Sequence, residues 1–261
     1  MSENQKTNET EQEVTQQQSN IRSAKISAHR GGPISGFPEN ALETLIKTAE
    51  DIPNVMVEID IRETKDNVLV LLHDETLDRT TTMSSNIQHV TYGQISTLTL
   101  EDSPYTLPTL YQVLQWLYTE PEVYLSLDVK ERELFDAVLK LVEQFDLLDQ
   151  VEFITYTLDA AKEVYALDQS ANISMTIRNP DELMRVIDSG IPGNQVSAFT
   201  GLSLSSPEFY TSIKDYGAVV TLGTIGNLDQ KAASSTDQLY VDWFDLGVDR
   251  IATDRPRKIL R

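Results

Sequence analysis

The sequence predicts an α/β fold in which parallel strands, each followed by a helix, close into an eight-stranded barrel. Three observations predict it. Short runs rich in β-branched and aromatic residues alternate with helical stretches from residue 25 onward. The length of 261 residues suits one such barrel, which typically needs roughly 250. Hydrophobic residues make up 40% of the chain, enough for one sizeable core, with no run near the roughly 20 apolar residues a bilayer span needs.

The strand-like runs, in order, are 26–29, 55–60, 68–73, 123–129, 151–156, 173–177, 195–199, 219–222 and 250–253. Helical periodicity falls at 41–50, 109–118, 131–145, 158–167, 180–189 and 206–216. Nine runs are one more than the barrel needs, and the link between the second and third is too short for a crossover helix. These two are expected to form a hairpin, with Thr64-Lys65-Asp66-Asn67 as the turn. A turn centred on Asp66-Asn67 sets Asp60 opposite His73. The segment at about 75–122 exceeds an ordinary connection and is expected to be an insertion beside the functional face.

Residues 1–24 begin with a stretch so rich in Glu, Gln, Asn, Ser and Thr that it cannot offset its ordering entropy by burial, and a disordered polar tail is expected before a barrel at 25–261. The tail contains no basic start followed by an apolar run. Its composition also fits the spacer after a lipoprotein anchor. The expected location is therefore extracytoplasmic or lipoprotein-anchored if a signal has been trimmed, and cytoplasmic otherwise.

Asp and Glu number 41 against 21 Lys and Arg, a net charge of −20, which argues against nucleic acid as a partner. A phosphate ligand would need local positive charge from a metal or a few basic side chains. There is no cysteine, so disulfides and thiolate metal sites are excluded.

Glu58 and Asp60 stand two apart in a strand, so both carboxylates point to one face, where a hard cation would relieve their repulsion. Read alone, the pair fits an exposed strand face equally well. Asp128 and Lys130 repeat the spacing, offering a third ligand and a cation for phosphate, or simply an ion pair at a strand end. His29 and His73 each end a strand-like run, where barrel enzymes carry their chemistry, and histidine titrates near neutrality as an acid or base must. His89 has no such surroundings. Arg30 offers a planar fork for phosphate, and Gly31-Gly32 either lets a ligand approach the backbone or serves a turn. For Glu39-Asn40, helix capping competes with a role in holding the histidines or metal.

The ordered set Ala28-His29-Arg30-Gly31, Pro38-Glu39-Asn40, Glu58-Ile59-Asp60, His73-Asp74, Leu77-Asp78-Arg79-Thr80, Leu107-Pro108-Thr109-Leu110, Asp128-Val129-Lys130, Gly247-Val248-Asp249 and Thr253-Asp254-Arg255-Pro256 resembles the glycerophosphodiester phosphodiesterase family. The resemblance implies a TIM-type (β/α)8 barrel, one divalent cation (Ca²⁺ or Mg²⁺), and hydrolysis of small glycerophosphodiesters to glycerol 3-phosphate and an alcohol. It implies Glu58, Asp60 and Asp128 as metal ligands, His29 and His73 as the acid–base pair, Arg30 and Lys130 as phosphate-binding, and Glu39 in the metal or polar shell.

Three departures stand out. Asp128 replaces the family's usual Glu and is one methylene shorter, Gly223-Thr224-Ile225-Gly226 replaces a common Trp-Thr-Val-Asn and removes an aromatic wall, and Ala41 replaces a frequent Thr. The competing readings are a related barrel phosphodiesterase for lysophospholipids or phosphoinositol diesters and a non-catalytic barrel that binds phosphorylated ligands. Loss of a histidine or carboxylate would favour the last; both histidines and all three carboxylates are present.

Overall fold

A computed structural model describes residues 21–259. Nine strands form one sheet: β1 (Ile26–Ala28), β2 (Met56–Glu63), β3 (Leu69–Leu71), β4 (Tyr124–Val129), β5 (Val151–Thr155), β6 (Asn172–Thr176), β7 (Val196–Phe199), β8 (Val219–Gly223) and β9 (Arg250–Thr253). Eight of them pair in parallel in the order β1-β9-β8-β7-β6-β5-β4-β2, and β1 pairs with β2 to close the barrel. The expected fold class is the observed one.

Alternation along the strands sorts the side chains. In β2, Val57, Ile59 and Ile61 join the main hydrophobic core between sheet and helices, as do Leu125, Leu127 and Val129 of β4. The alternate residues, Glu58, Asp60, Ser126 and Asp128, are buried inside the barrel. Barrel interiors are usually filled by bulky branched residues. Here Ser27, Ser126, Ser174 and Thr221 help line a cavity of about 140 Å³ instead.

The cavity ends at a buried ion pair. Glu152 accepts from Arg250 at 2.9 Å, from the Ser197 hydroxyl at 2.7 Å and from the Ser126 hydroxyl at 2.9 Å. The Arg250 guanidinium also donates to the carbonyls of Ile21 and Ala24. The side chains of those two residues pack with Met56 and Tyr124. The last four residues of the expected tail, 21–24, thus belong to the barrel; the others lie outside the described residues.

The helices are α1 (Leu42–Asp51), α2 (Tyr92–Ile95), α3 (Leu110–Leu117), α4 (Phe135–Gln144), α5 (Leu158–Leu167), α6 (Pro180–Asp188), α7 (Pro207–Asp215), α8 (Asn227–Ser234) and α9 (Gln238–Asp245). Sequence-local caps start several of them: Thr109 with Gln112 for α3, Asn179 before Pro180 for α6, Ser206 before Pro207 for α7. Periodicity did not reveal α2, α8 or α9. The first has four residues, and α8 buries only Asp229 and Ala232, too few for an apolar stripe.

β2 and β3 form the expected antiparallel hairpin, but in a different register. Arg62 faces Val70 and Ile61 faces Leu71, so Asp60, whose carbonyl accepts from the Leu72 N–H, is opposite Leu72 and not His73. The loop holds three residues rather than two. Asn67 adopts φ +60° and donates to the Thr64 carbonyl, while Thr64 N–H donates to Val68, which moves the axis of the turn by half a residue.

Residues between β3 and α3 pack a second apolar cluster, including Leu72, Leu77, Ile87, Ile95 and Leu107. Leu110, Val113, Leu114 and Leu117 of α3 return to the main core. No helix among the described residues is long and apolar enough to cross a membrane.

Candidate active site

The polar cluster lies at the C-terminal ends of β1, β2, β4 and β9 and just beyond β3. Parallel pairing of β2 with β4 sets Asp60 beside Asp128. With Glu58 they form a buried triad whose ligand oxygens lie within 4.8 Å of one another. Burial first, then the neighbouring charges of Asp60 and Asp128, push the Glu58 carboxyl well above the usual carboxylate range. Asp128 Oδ2 accepts from Lys130 Nζ at 2.5 Å and from the Tyr156 hydroxyl at 2.7 Å, whereas its buried Oδ1 has no hydrogen-bond partner among the described residues.

Hard oxygen donors, an orphaned buried carboxylate oxygen and a carboxyl destabilised by its own neighbours fit a divalent cation of the Ca²⁺ or Mg²⁺ type. The shorter Asp128 side chain still closes the triad, because the register brings its strand directly alongside Asp60.

Lys130 Nζ bridges Asp128 and, also at 2.5 Å, Asp60 Oδ1. Burial opposes its charge, but the two carboxylates outweigh burial and raise its pKa. Asn40, at φ +57°, clamps Asp60 from the other side: its amide donates to Oδ2 at 2.7 Å and its carbonyl accepts the Asp60 N–H at 3.1 Å. Helix capping is therefore not its role, and the N-cap of α1 is Ala41, without a side-chain cap.

Arg30 sits in the left-handed region at φ 51°, ψ 37°, a conformation that costs a non-glycine residue about 1 kcal/mol or more. The conformation delivers its N–H to Glu58 Oε2 at 2.6 Å. Its guanidinium reaches Glu39 at 3.2 Å, and its buried Nε has no partner among the described residues. Glu39 also receives two bonds from Arg79, at 2.9 and 2.7 Å, so it braces two guanidinium groups. Gly31 serves turn and packing rather than ligand approach: at φ +88° a Cβ would lie 2.9 Å from Leu45 Cδ1 of α1.

The two histidines are held alike. His29 Nδ1 is 2.7 Å from Asp254 Oδ1, and His73 Nδ1 is 2.6 Å from Asp74 Oδ1. A carboxylate on Nδ1 favours the proton there and leaves Nε2 to exchange one with a ligand. Asp74 is held at about 2, chiefly by the Arg79 guanidinium. His89 is exposed on a 3-10 turn away from this cluster.

Sequence reasoning assigned no role to Asp74, Arg79, Tyr156 or Asp254, and left Asn40 open between helix capping and holding the histidines or metal. All but Tyr156 lay in the motifs quoted above, which was the available signal. The wall expected to be missing at Gly223 is present in another form. A Cβ there would fall 2.6 Å from the Phe199 ring and 2.7 Å from Leu202 Cδ2, so side chains from β7 and the loop after it lie against the bare backbone of β8.

The model of the glycerophosphoryl diester phosphodiesterase family matches residues 29–258, nearly the whole chain. The chain belongs to that family. Similar proteins include the glycerophosphodiester phosphodiesterase of Bacillus altitudinis, 23% identical over 91% of this chain and 97% of the relative. The uncharacterized protein YqiK of Bacillus subtilis is 30% identical over 52% of this chain, which spans 59% of YqiK. Among solved structures, a glycerophosphoryl diester phosphodiesterase from Parabacteroides distasonis superposes with a TM-score of 0.83 at 26% identity, covering 94% of this chain and 90% of that one. A phosphodiesterase of Oleispira antarctica, solved with the product sn-glycerol-3-phosphate, shares the fold with a TM-score of 0.71 at 22% identity, covering 90% and 94%.

Proposed function

We propose that this family member hydrolyses glycerophosphodiesters to glycerol 3-phosphate and an alcohol, using one divalent cation held by Glu58, Asp60 and Asp128. The observation that carries the reading is the pair of carboxylate-oriented histidines, His29 and His73, set around a buried acidic triad. A bound Ca²⁺ or Mg²⁺ supplies charge stabilisation for the phosphoryl oxygens. Arg30, with its unpaired Nε, and Lys130 bind and orient the phosphate. One histidine accepts the proton of the attacking water or glycerol hydroxyl through Nε2, and the other donates a proton to the departing alkoxide as the P–O bond breaks; where the glycerol hydroxyl attacks, water then opens the cyclic phosphate with the two histidine roles exchanged. Asp254 and Asp74 stabilise each ring while it carries charge.

Two measurements test this. Glycerol 3-phosphate release from glycerophosphocholine and glycerophosphoethanolamine should vanish in EDTA and return with Ca²⁺, Mg²⁺ or Mn²⁺. His29→Ala and His73→Ala should each lower kcat by about 10² to 10⁴ while the protein still folds; near-normal turnover in both would end the proposal.

A second reading, hydrolysis of lysophospholipids, is favoured by one feature. Met175, Phe199, Ile225 and Tyr156 line the cavity, and the exposed Leu202 lies with Phe199 against Gly223. Faster release from lysophosphatidylcholine than from glycerophosphocholine would select it.

A further inference from the structure

A second buried carboxylate lies outside the cluster described above. Asp229, in the first turn of α8, is 4% exposed and forms no ion pair among the described residues. Burying a carboxylate without a cation is costly unless hydrogen bonds replace its water. Here three groups do so. Oδ1 accepts from the Tyr240 hydroxyl at 2.8 Å, both oxygens lie within 2.9 Å of the Thr253 hydroxyl, and Oδ2 accepts the backbone N–H of Asp254 at 2.9 Å.

Two of the three donors belong to the corner where β9 ends. That corner carries Asp254, whose Oδ1 meets His29 Nδ1 at 2.7 Å and which also accepts the backbone N–H of Gly226. The Asp254 side chain is 48% exposed and is held by the His29 ring and the Gly226 N–H. Its backbone, in contrast, is tied to a fully interior anion. A carboxylate here does what an apolar residue could not: it accepts from strand backbone and strand hydroxyl together and sets the corner's orientation relative to β1.

We propose that Asp229 is a positioning residue for the reaction, its carboxylate clamping the Thr253–Asp254 corner that holds the His29 ring. The proposal rests on the acid–base reading of His29. The step it supports is proton exchange at His29 Nε2, which requires the Nδ1 proton to stay on the side of Asp254. The Asp229 carboxylate contacts Tyr240, Thr253 and Asp254 and acts on the reaction only through Asp254.

The test uses the full chain with glycerophosphocholine and the restoring metal. Asp229→Asn should lower kcat roughly 10- to 100-fold with KM within about twofold, the range typical of residues that orient a functional histidine. The ¹⁵N resonances of the His29 ring should move from a single Nδ1–H tautomer toward a mixture. Tyr216→Phe, which removes a hydroxyl bond to the Ile191 carbonyl elsewhere in the barrel, is the control: stability falls while kcat and the His29 resonances stay. Should Asp229→Asn not fold, Thr253→Val removes the bridging hydroxyl and is read in the same way. Unchanged kcat and unchanged His29 resonances in a folded variant would overturn the proposal. Near-normal turnover in His29→Ala would instead sink the catalytic reading of His29, and the proposal with it.

Discussion

Glu58 shows how a single side chain can be poor for stability and useful for chemistry. Its carboxyl is buried beside two others and is pushed toward the protonated form, so the metal-free protein carries a local repulsion that a cation would relieve. Glu58→Gln mimics the protonated form and keeps an acceptor for the Arg30 N–H. The variant should melt no lower than the parent in EDTA yet lose most of the rise in Tm that added Ca²⁺ or Mg²⁺ produces, as read by calorimetry. A marked loss of Tm in EDTA would show that the ionised carboxylate is itself stabilising and would count against a cation site. Arg30 follows the same logic, holding a strained backbone conformation so that its amide meets that carboxylate.

At the scale of elements, the hairpin of β2 and β3 carries the second histidine past the end of the sheet and into a chain of charges. His73 leans on Asp74, Asp74 on Arg79, and Arg79 on Glu39, which also braces Arg30. Asp74 is depressed to about 2 by Arg79 and His73, so its folded-state pKa lies below the unfolded value of about 3.9. The stability this adds is fully present above about pH 4 and is lost as pH falls toward 2. Asp74→Asn should therefore flatten the dependence of unfolding free energy on pH between about 4 and 2. Because the Asp74 side chain is 32% exposed and solvent screens the pair, the effect should be small. An unchanged acid limb would mean that the pair forms no stabilising contact in solution.

For the whole molecule, closure of the barrel and construction of the site are one event. β9 pairs with β1, and only then does Asp254 reach His29 across 225 positions of chain. The same closure brings Arg250 of β9 to Glu152 of β5 and to the carbonyls of residues 21 and 24, sealing the end of the barrel opposite the site. Arg250→Met would leave Glu152 buried without its cation and should cost about 3–5 kcal/mol in denaturant unfolding. A cost under 1 kcal/mol would show that water from the cavity reaches Glu152 and replaces its cation.

The strands, most of the helices, the two histidines and the three carboxylates of the triad were legible in the chain because each is written locally. Alternation in Val57-Glu58-Ile59-Asp60 and Leu127-Asp128-Val129 put carboxylates on one face and aliphatics on the other, whatever the rest of the protein did. Strand ends marked His29 and His73 for the same reason. What only the tertiary structure decided was pairing. Three loop residues rather than two set the hairpin register, Asn40 turned out to hold a carboxylate and not a helix end, and Phe199 filled room left by Gly223. Asp229 sat in a helix with no apolar stripe to announce it. The physical reason is that backbone periodicity depends on neighbours in sequence, whereas the partner of a charged group is set by closure of the barrel, which brings together residues that no local pattern connects.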